Sequence, residues 1–132
     1  GAKVGDVVDY SYGGEIVKAM VIEQENQALP KIRISAEAGS RRVYGIFSHW
    51  DDDDKNGNND LHAAALGAKF VRIAKGENPK GGDLIESNGD GCGRVQADDI
   101  FRSSTVAKIT AAVKGTVYDD GSFLLPCTLH CG

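Results

Sequence analysis

The stretch Ser122-Phe123-Leu124-Leu125-Pro126-Cys127-Thr128-Leu129-His130-Cys131 decides the fold class. Phe123, Leu125, Cys127, Leu129 and Cys131 recur at every second position and so share one face of a strand. Ser122, Thr128 and His130 share the other face with Leu124 and Pro126. Pro126 cannot donate to a ladder, which predicts an edge strand or a place beside a bulge. The turn Asp119-Asp120-Gly121 ahead of the stretch predicts a hairpin.

The same pattern repeats upstream. Thr105 to Val113 alternates, with Thr105, Ala107, Ile109, Ala111 and Val113 on one side. Asp98 to Phe101 fits one helical turn. Asp83 to Ser87 is expected to pair with Cys92 to Gln96 across Asn88-Gly89-Asp90-Gly91, whose Asn-Gly and Asp-Gly steps tolerate positive φ. Ala68 to Ile73 reads as a strand. Leu61 to Leu66 reads either as a short helix behind an Asn59 or Asp60 cap or as the start of that strand. Arg42 to His49 is a further strand, in which Gly45 marks a bulge or a close backbone approach. Lys31 to Ala36 alternates most clearly, placing Ile32, Ile34 and Ala36 opposite Lys31, Arg33 and Ser35. Glu15 to Gln24 is β-branched and apolar, and Val4 to Tyr12 is a weaker strand ending at Gly13-Gly14. The expectation is an all-β domain over residues 1–132. It is a small sandwich or barrel of about eight short antiparallel strands with at most one short helix.

Composition narrows the function classes. The 132 residues are 41% hydrophobic and 26% charged, as in globular proteins, and the 17 glycines call for many tight turns. A net charge of −4, with no basic cluster beyond Arg41-Arg42, argues against a nucleic-acid or anionic-membrane surface. No apolar run reaches the roughly 18 residues of a membrane span, and residues 1–6 lack signal-peptide anatomy. Three cysteines without paired spacing are expected to be reduced thiols in a protein assembled in a cytosol.

The chemistry-bearing residues concentrate between Trp50 and Asp60, where five carboxylates fall within eleven residues. Asp52, Asp54, Asn56, Asn58 and Asp60, with Gly57, match the first half of a calcium loop. Ala63 stands where such a loop needs a bidentate glutamate, so calcium would require a ligand from elsewhere. Without that ligand the stretch is a solvated turn, Trp50 being either a binding aromatic or an anchor. Ser48-His49-Trp50-Asp51 offers Ser48 and Asp51 as candidates for self-cleavage, although neighbours on a strand face opposite ways and make no triad. Cys127-x-x-His130-Cys131 resembles a zinc motif, yet the cysteines lie about 13 Å apart along one strand and His130 faces away from them. Gly89 to Gly93 has no following helix with a Lys-Ser/Thr pair and is no phosphate loop.

Several short motifs come in a distinctive order. They are Val43 to Ser48, the acidic stretch, Ala65 to Ile73, Gly82 to Gln96, Arg102 to Ile109 and Tyr118 to Cys127. Together, over about residues 43–131, they resemble the C-terminal domains of tail-fibre and neck-appendage proteins of bacteriophages, marine ones in particular. They are also similar to the intramolecular-chaperone autoprocessing domains that end some fibres. The resemblance implies a homotrimeric virion module, assembled in the host cytoplasm as the C-terminal part of a longer protein. Its partners would be an upstream fibre shaft, copies of itself and a host surface receptor. Its function would be structural, promoting folding or oligomerisation of the fibre, without a cofactor. Self-cleavage as an autoproteolytic chaperone is an alternative, as is calcium-dependent receptor or glycan binding at the fibre tip. The autoprocessing branch cuts at a Ser-Asp step, and no Ser-Asp dipeptide occurs in this chain.

If the acidic stretch holds calcium, millimolar calcium raises the melting temperature and a chelator reverses the rise. Identical melts with and without chelator exclude the site.

Overall fold

The computed structural model describes residues 16–22, 30–53 and 58–131, with side chains for 33–47 and 64–131. Nine strands occur among the described residues: β1 (Ile16–Ile22), β2 (Pro30–Ile34), β3 (Val43–Asp53), β4 (Asn58–Ala64), β5 (Leu66–Ile73), β6 (Leu84–Ser87), β7 (Gly93–Val95), β8 (Thr105–Ile109) and β9 (Phe123–His130). No helix occurs among these residues. The all-β expectation therefore holds. Leu61 to Leu66 divides between β4 and β5, so the helical alternative fails. Asp98 to Phe101 is a bend held by Asp98 Oδ1, which accepts from the Ile100 amide at 3.1 Å. The expected strand from Val4 to Tyr12 and its Gly13-Gly14 turn lie outside the described residues.

The strands form a four-stranded sheet, β2-β1-β3-β4, and a closed barrel, β5-β7-β6-β8-β9. Four of the barrel's five joints are antiparallel, and the fifth, β5 with β7, is parallel. That parallel joint corrects the antiparallel expectation, and its cause is parity. Strand directions that alternate around a closed ring must come in even number, so a five-stranded ring needs at least one parallel neighbour. The joint is short, with Ile73 opposite Gly93 and the Ala74 amide donating to the Gly93 carbonyl at 2.9 Å.

Strand β9 carries the closure. It pairs with β5 from His130 opposite Leu66 to Phe123 opposite Ile73, and with β8 along Leu129 to Cys127. Paired on both sides, it is not an edge strand. The bulge alternative describes it instead. Pro126 accepts from the Thr110 amide at 2.9 Å but returns no bond, and β8 ends one residue earlier, at Ile109. The partner chain leaves the ladder at 111–114 and rejoins where Gly115 donates to the Leu124 carbonyl. This excursion is why Val113, expected on the inner face, is exposed.

The interior follows the predicted alternation on β9. Phe123, Leu125, Cys127, Leu129 and Cys131 are buried with Val71, Ile73, Ile85, Val106, Ala107 and Ile109. Each large aliphatic there contributes about 1.5–3 kcal/mol by leaving water. Leu124, on the outer face, is buried as well, because Gly115 crosses over it and Phe70.

Core packing and a hydrogen-bonded clasp dock the sheet onto the barrel. Ile46 of β3 enters the barrel's core. The segment after β2 clasps the β6–β7 turn. Ser35 and Ser87 share a buried hydroxyl hydrogen bond of 2.7 Å, Gly91 donates to the Ser35 carbonyl and Gly39 to that of Ser87. The clasp reverses the expected facing at the end of β2. Ser35 is buried while Ile34 and Ala36 are exposed, since the buried hydroxyl pair outweighs the alternation. Gly89 has φ 95°, and a Cβ there would sit 3.0 Å from the Ala38 nitrogen. At Gly45 a Cβ would lie 2.3 Å from the Ala64 carbonyl oxygen, the close backbone approach expected of a glycine inside a strand.

The cysteines pack as apolar groups. The Cys127 thiol donates to the Leu125 carbonyl and the Cys131 thiol to that of Val106. Burial pushes the Cys127 thiol up to about 12 and that of Cys131 up to about 11.

Gly45→Ala lowers stability by about 1–3 kcal/mol, the cost of forcing atoms into filled space. Gly81→Ala, whose Cβ meets only the Thr110 carbonyl at 3.4 Å, changes it by less than about 0.5 kcal/mol. Urea midpoints of the two variants give the comparison. Cys127 and Cys131 resist alkylation in the folded protein at neutral pH and label on unfolding. Their folded pKa values exceed the unfolded one, so stability is undiminished below about pH 9 and falls as pH rises toward 11–12. Replacing both thiols by alanine flattens that alkaline decline, measured as denaturant midpoint against pH.

Candidate functional site

The described residues of the Ser48 to Asp60 stretch lie on β3 and β4, which pair antiparallel. The root of this ribbon is fixed. Ile46 and Phe47 are buried, and Gly45 lets the β4 backbone approach. The first two pairs, Ile46 with Ala64 and Phe47 with Ala63, then give way to His49 with His62, so Ser48 is an extra residue on β3. Beyond this bulge the ladder runs without interruption: Trp50 with Leu61, Asp51 with Asp60, Asp52 with Asn59 and Asp53 with Asn58. The presumed acidic loop is therefore strand for most of its length. Charged and amide residues hold the β conformation here because the ladder supplies their backbone bonds, which overrides their weak intrinsic preference.

The register separates some candidates and joins others. Asp54 and Asn56 lie outside the described residues. Asp52 opposes Asn59 while Asp60 opposes Asp51, so Asp52 and Asp60 belong to opposite faces of the ribbon. Asn58 shares Asp60's face. Of the candidate calcium positions that are described, Asn58 and Asp60 thus share one face and Asp52 belongs to the other. Ser48 and Asp51 are three residues apart on β3, with Ser48 at the bulge. Trp50 opposes Leu61 in the ladder.

His62 belongs to no motif of its own. Its signal is the mirror order His49-Trp50-Asp51 and Asp60-Leu61-His62, which brings like residues together only in this register.

On the barrel, polar groups serve structure. Asp120 accepts from the hydroxyl and the amide of Ser122, which hold its carboxyl below the usual range with a smaller contribution from Arg72 at 3.0 Å. The Arg72 guanidinium also lies 4.2 Å over the Tyr118 ring, so the β9 hairpin turn is clamped. Arg102 grips Asp98 with two guanidinium nitrogens, bringing its carboxyl down to about 2. Arg94 pairs with Glu86 at 2.7 Å. His130 meets the Phe101 ring edge-on at 4.7 Å, on the face away from the buried Cys127 and Cys131, as strand alternation predicts. Among residues with described side chains, no three of His, Cys, Asp or Glu gather as a metal group.

One surface feature has no counterpart in the sequence motifs. Leu66, opposite His130 on β5, is 71% exposed, and Ile100 and Phe101 are 56% and 53% exposed. With Phe101 against His130, these residues form an apolar patch at one end of the barrel. Asp98 and Arg102 lie at its margin as a mutually neutral pair. No protein-family model, curated protein or solved structure matches the chain.

Proposed function

We propose that the chain is a structural and assembly module of a phage-type tail fibre or appendage that associates with copies of itself, as a trimer. The setting comes from the resemblance in motif order. The observation that supports self-association is the patch of Leu66, Ile100 and Phe101. Large apolar side chains exposed together on a folded surface cost solvation that a partner removes. A second copy suits this patch, because the ion pair at its margin is internally neutral and identical surfaces meet without like-charge repulsion. A closed barrel is a sound base for such contacts, since its strands have no open edge to recruit further chains. In this reading the module works in the virion, joined to a fibre shaft.

Light scattering at micromolar concentration is expected to give three times the 14.0 kDa chain mass. Phe101→Asp with Leu66→Asp is expected to return the monomer mass while leaving the β-sheet circular dichroism unchanged. A monomer mass for the unaltered chain across that range rejects self-association.

A further inference from the structure

The β3–β4 ladder brings together two histidines and two aspartates that the self-association reading leaves unused. His49 is opposed to His62 and, two residues further out, Asp51 is opposed to Asp60. Both pairs belong to one face of the ribbon, and the intervening pair, Trp50 with Leu61, belongs to the other. Opposed backbone positions are about 4.5–5.5 Å apart, and successive same-face positions about 7 Å. Positions 49, 51, 60 and 62 therefore outline a patch about 5 by 7 Å, commensurate with a single ion whose bonds to nitrogen and oxygen are about 2.0–2.2 Å. We propose that these four residues form a site for one divalent first-row transition ion of the zinc class.

Ligand chemistry selects the ion. Calcium takes oxygen donors, whereas a set of two imidazoles and two carboxylates suits zinc and its neighbours. The bulge is what makes the set. Were the register of Ile46 and Phe47 to continue past Ser48, His49 would oppose Leu61 and Asp51 would oppose Asn59. The extra residue instead aligns histidine with histidine and aspartate with aspartate. Opposed like charges are unfavourable on a bare ribbon, and a bound cation reverses the sign of that contribution. The site is complete within one chain, so it stands or falls independently of the trimer.

The test uses the full chain, stripped with chelator and titrated with zinc chloride by calorimetry and with cobalt chloride by visible absorption. One ion per chain is expected, with a raised melting temperature. His49→Ala and His62→Ala should each weaken zinc binding by at least about tenfold, the loss seen when even outer-sphere partners of a metal are removed. Asn59→Ala, on the other face, should leave it unchanged. Absence of zinc uptake at sub-millimolar concentration overturns the proposal, as does uptake that survives the His49→Ala/His62→Ala double variant. Should those variants fail to fold, diethyl pyrocarbonate footprinting of the unaltered chain decides. Zinc is expected to shield His49 and His62 but not His130, and equal reactivity of all three with and without zinc overturns it.

Discussion

Closing the barrel with five strands is the constraint from which most of the architecture descends. An odd ring cannot alternate throughout, so one joint must be parallel, and the structure places it where it disturbs least, between Ile73 and Gly93. Glycine there adds no side chain to a joint that has only one register pair. Strand β9 compensates on the opposite side. Eight consecutive residues pair with β5, and the same strand pairs with β8 and then with the returning segment at Gly115. Burial of Phe123, Leu125, Cys127 and Leu129 inside this doubly paired strand supplies the core against which Ile46 docks the second sheet.

The parts of this fold that were readable from the chain are those set by local chemistry. Period-two burial on β9, the Asn88 to Gly91 turn and the close approach at Gly45 follow from side-chain alternation and from what glycine permits. The misread parts depend on partners distant in sequence. Ser35 is buried because Ser87, across the clasp, meets its hydroxyl, and no pattern within Lys31 to Ala36 contains that fact. Thr105 to Val113 alternates throughout, yet its strand stops at Ile109 because Pro126 is the residue opposite Thr110. Parity is further still from any local signal, since it exists only once the strands are counted around a ring.

The β3–β4 ribbon shows the same division at the candidate site. Its acidic content was legible, and so was the incomplete calcium pattern ending at Ala63. Which residues stand together was not, because it turns on whether β3 holds one residue more than β4 between the root and the tip. Ser48 is that residue. It drew notice as a nucleophile, but its effect on the ladder is to set the partners of every residue beyond it.

That effect reaches outward from a rigid base. Gly45, Ile46 and Phe47 fix the ribbon's root by close packing, so the shift at Ser48 cannot be absorbed by sliding the strands at their buried end. A slip would flip the outer ribbon's faces relative to that core, and the packed root opposes it. The pairing of His49 with His62 and of Asp51 with Asp60 is thereby tied to the barrel's interior through Ile46. Sheet, core and ribbon share one register, and the arrangement of chemistry at the tip depends on packing at the base.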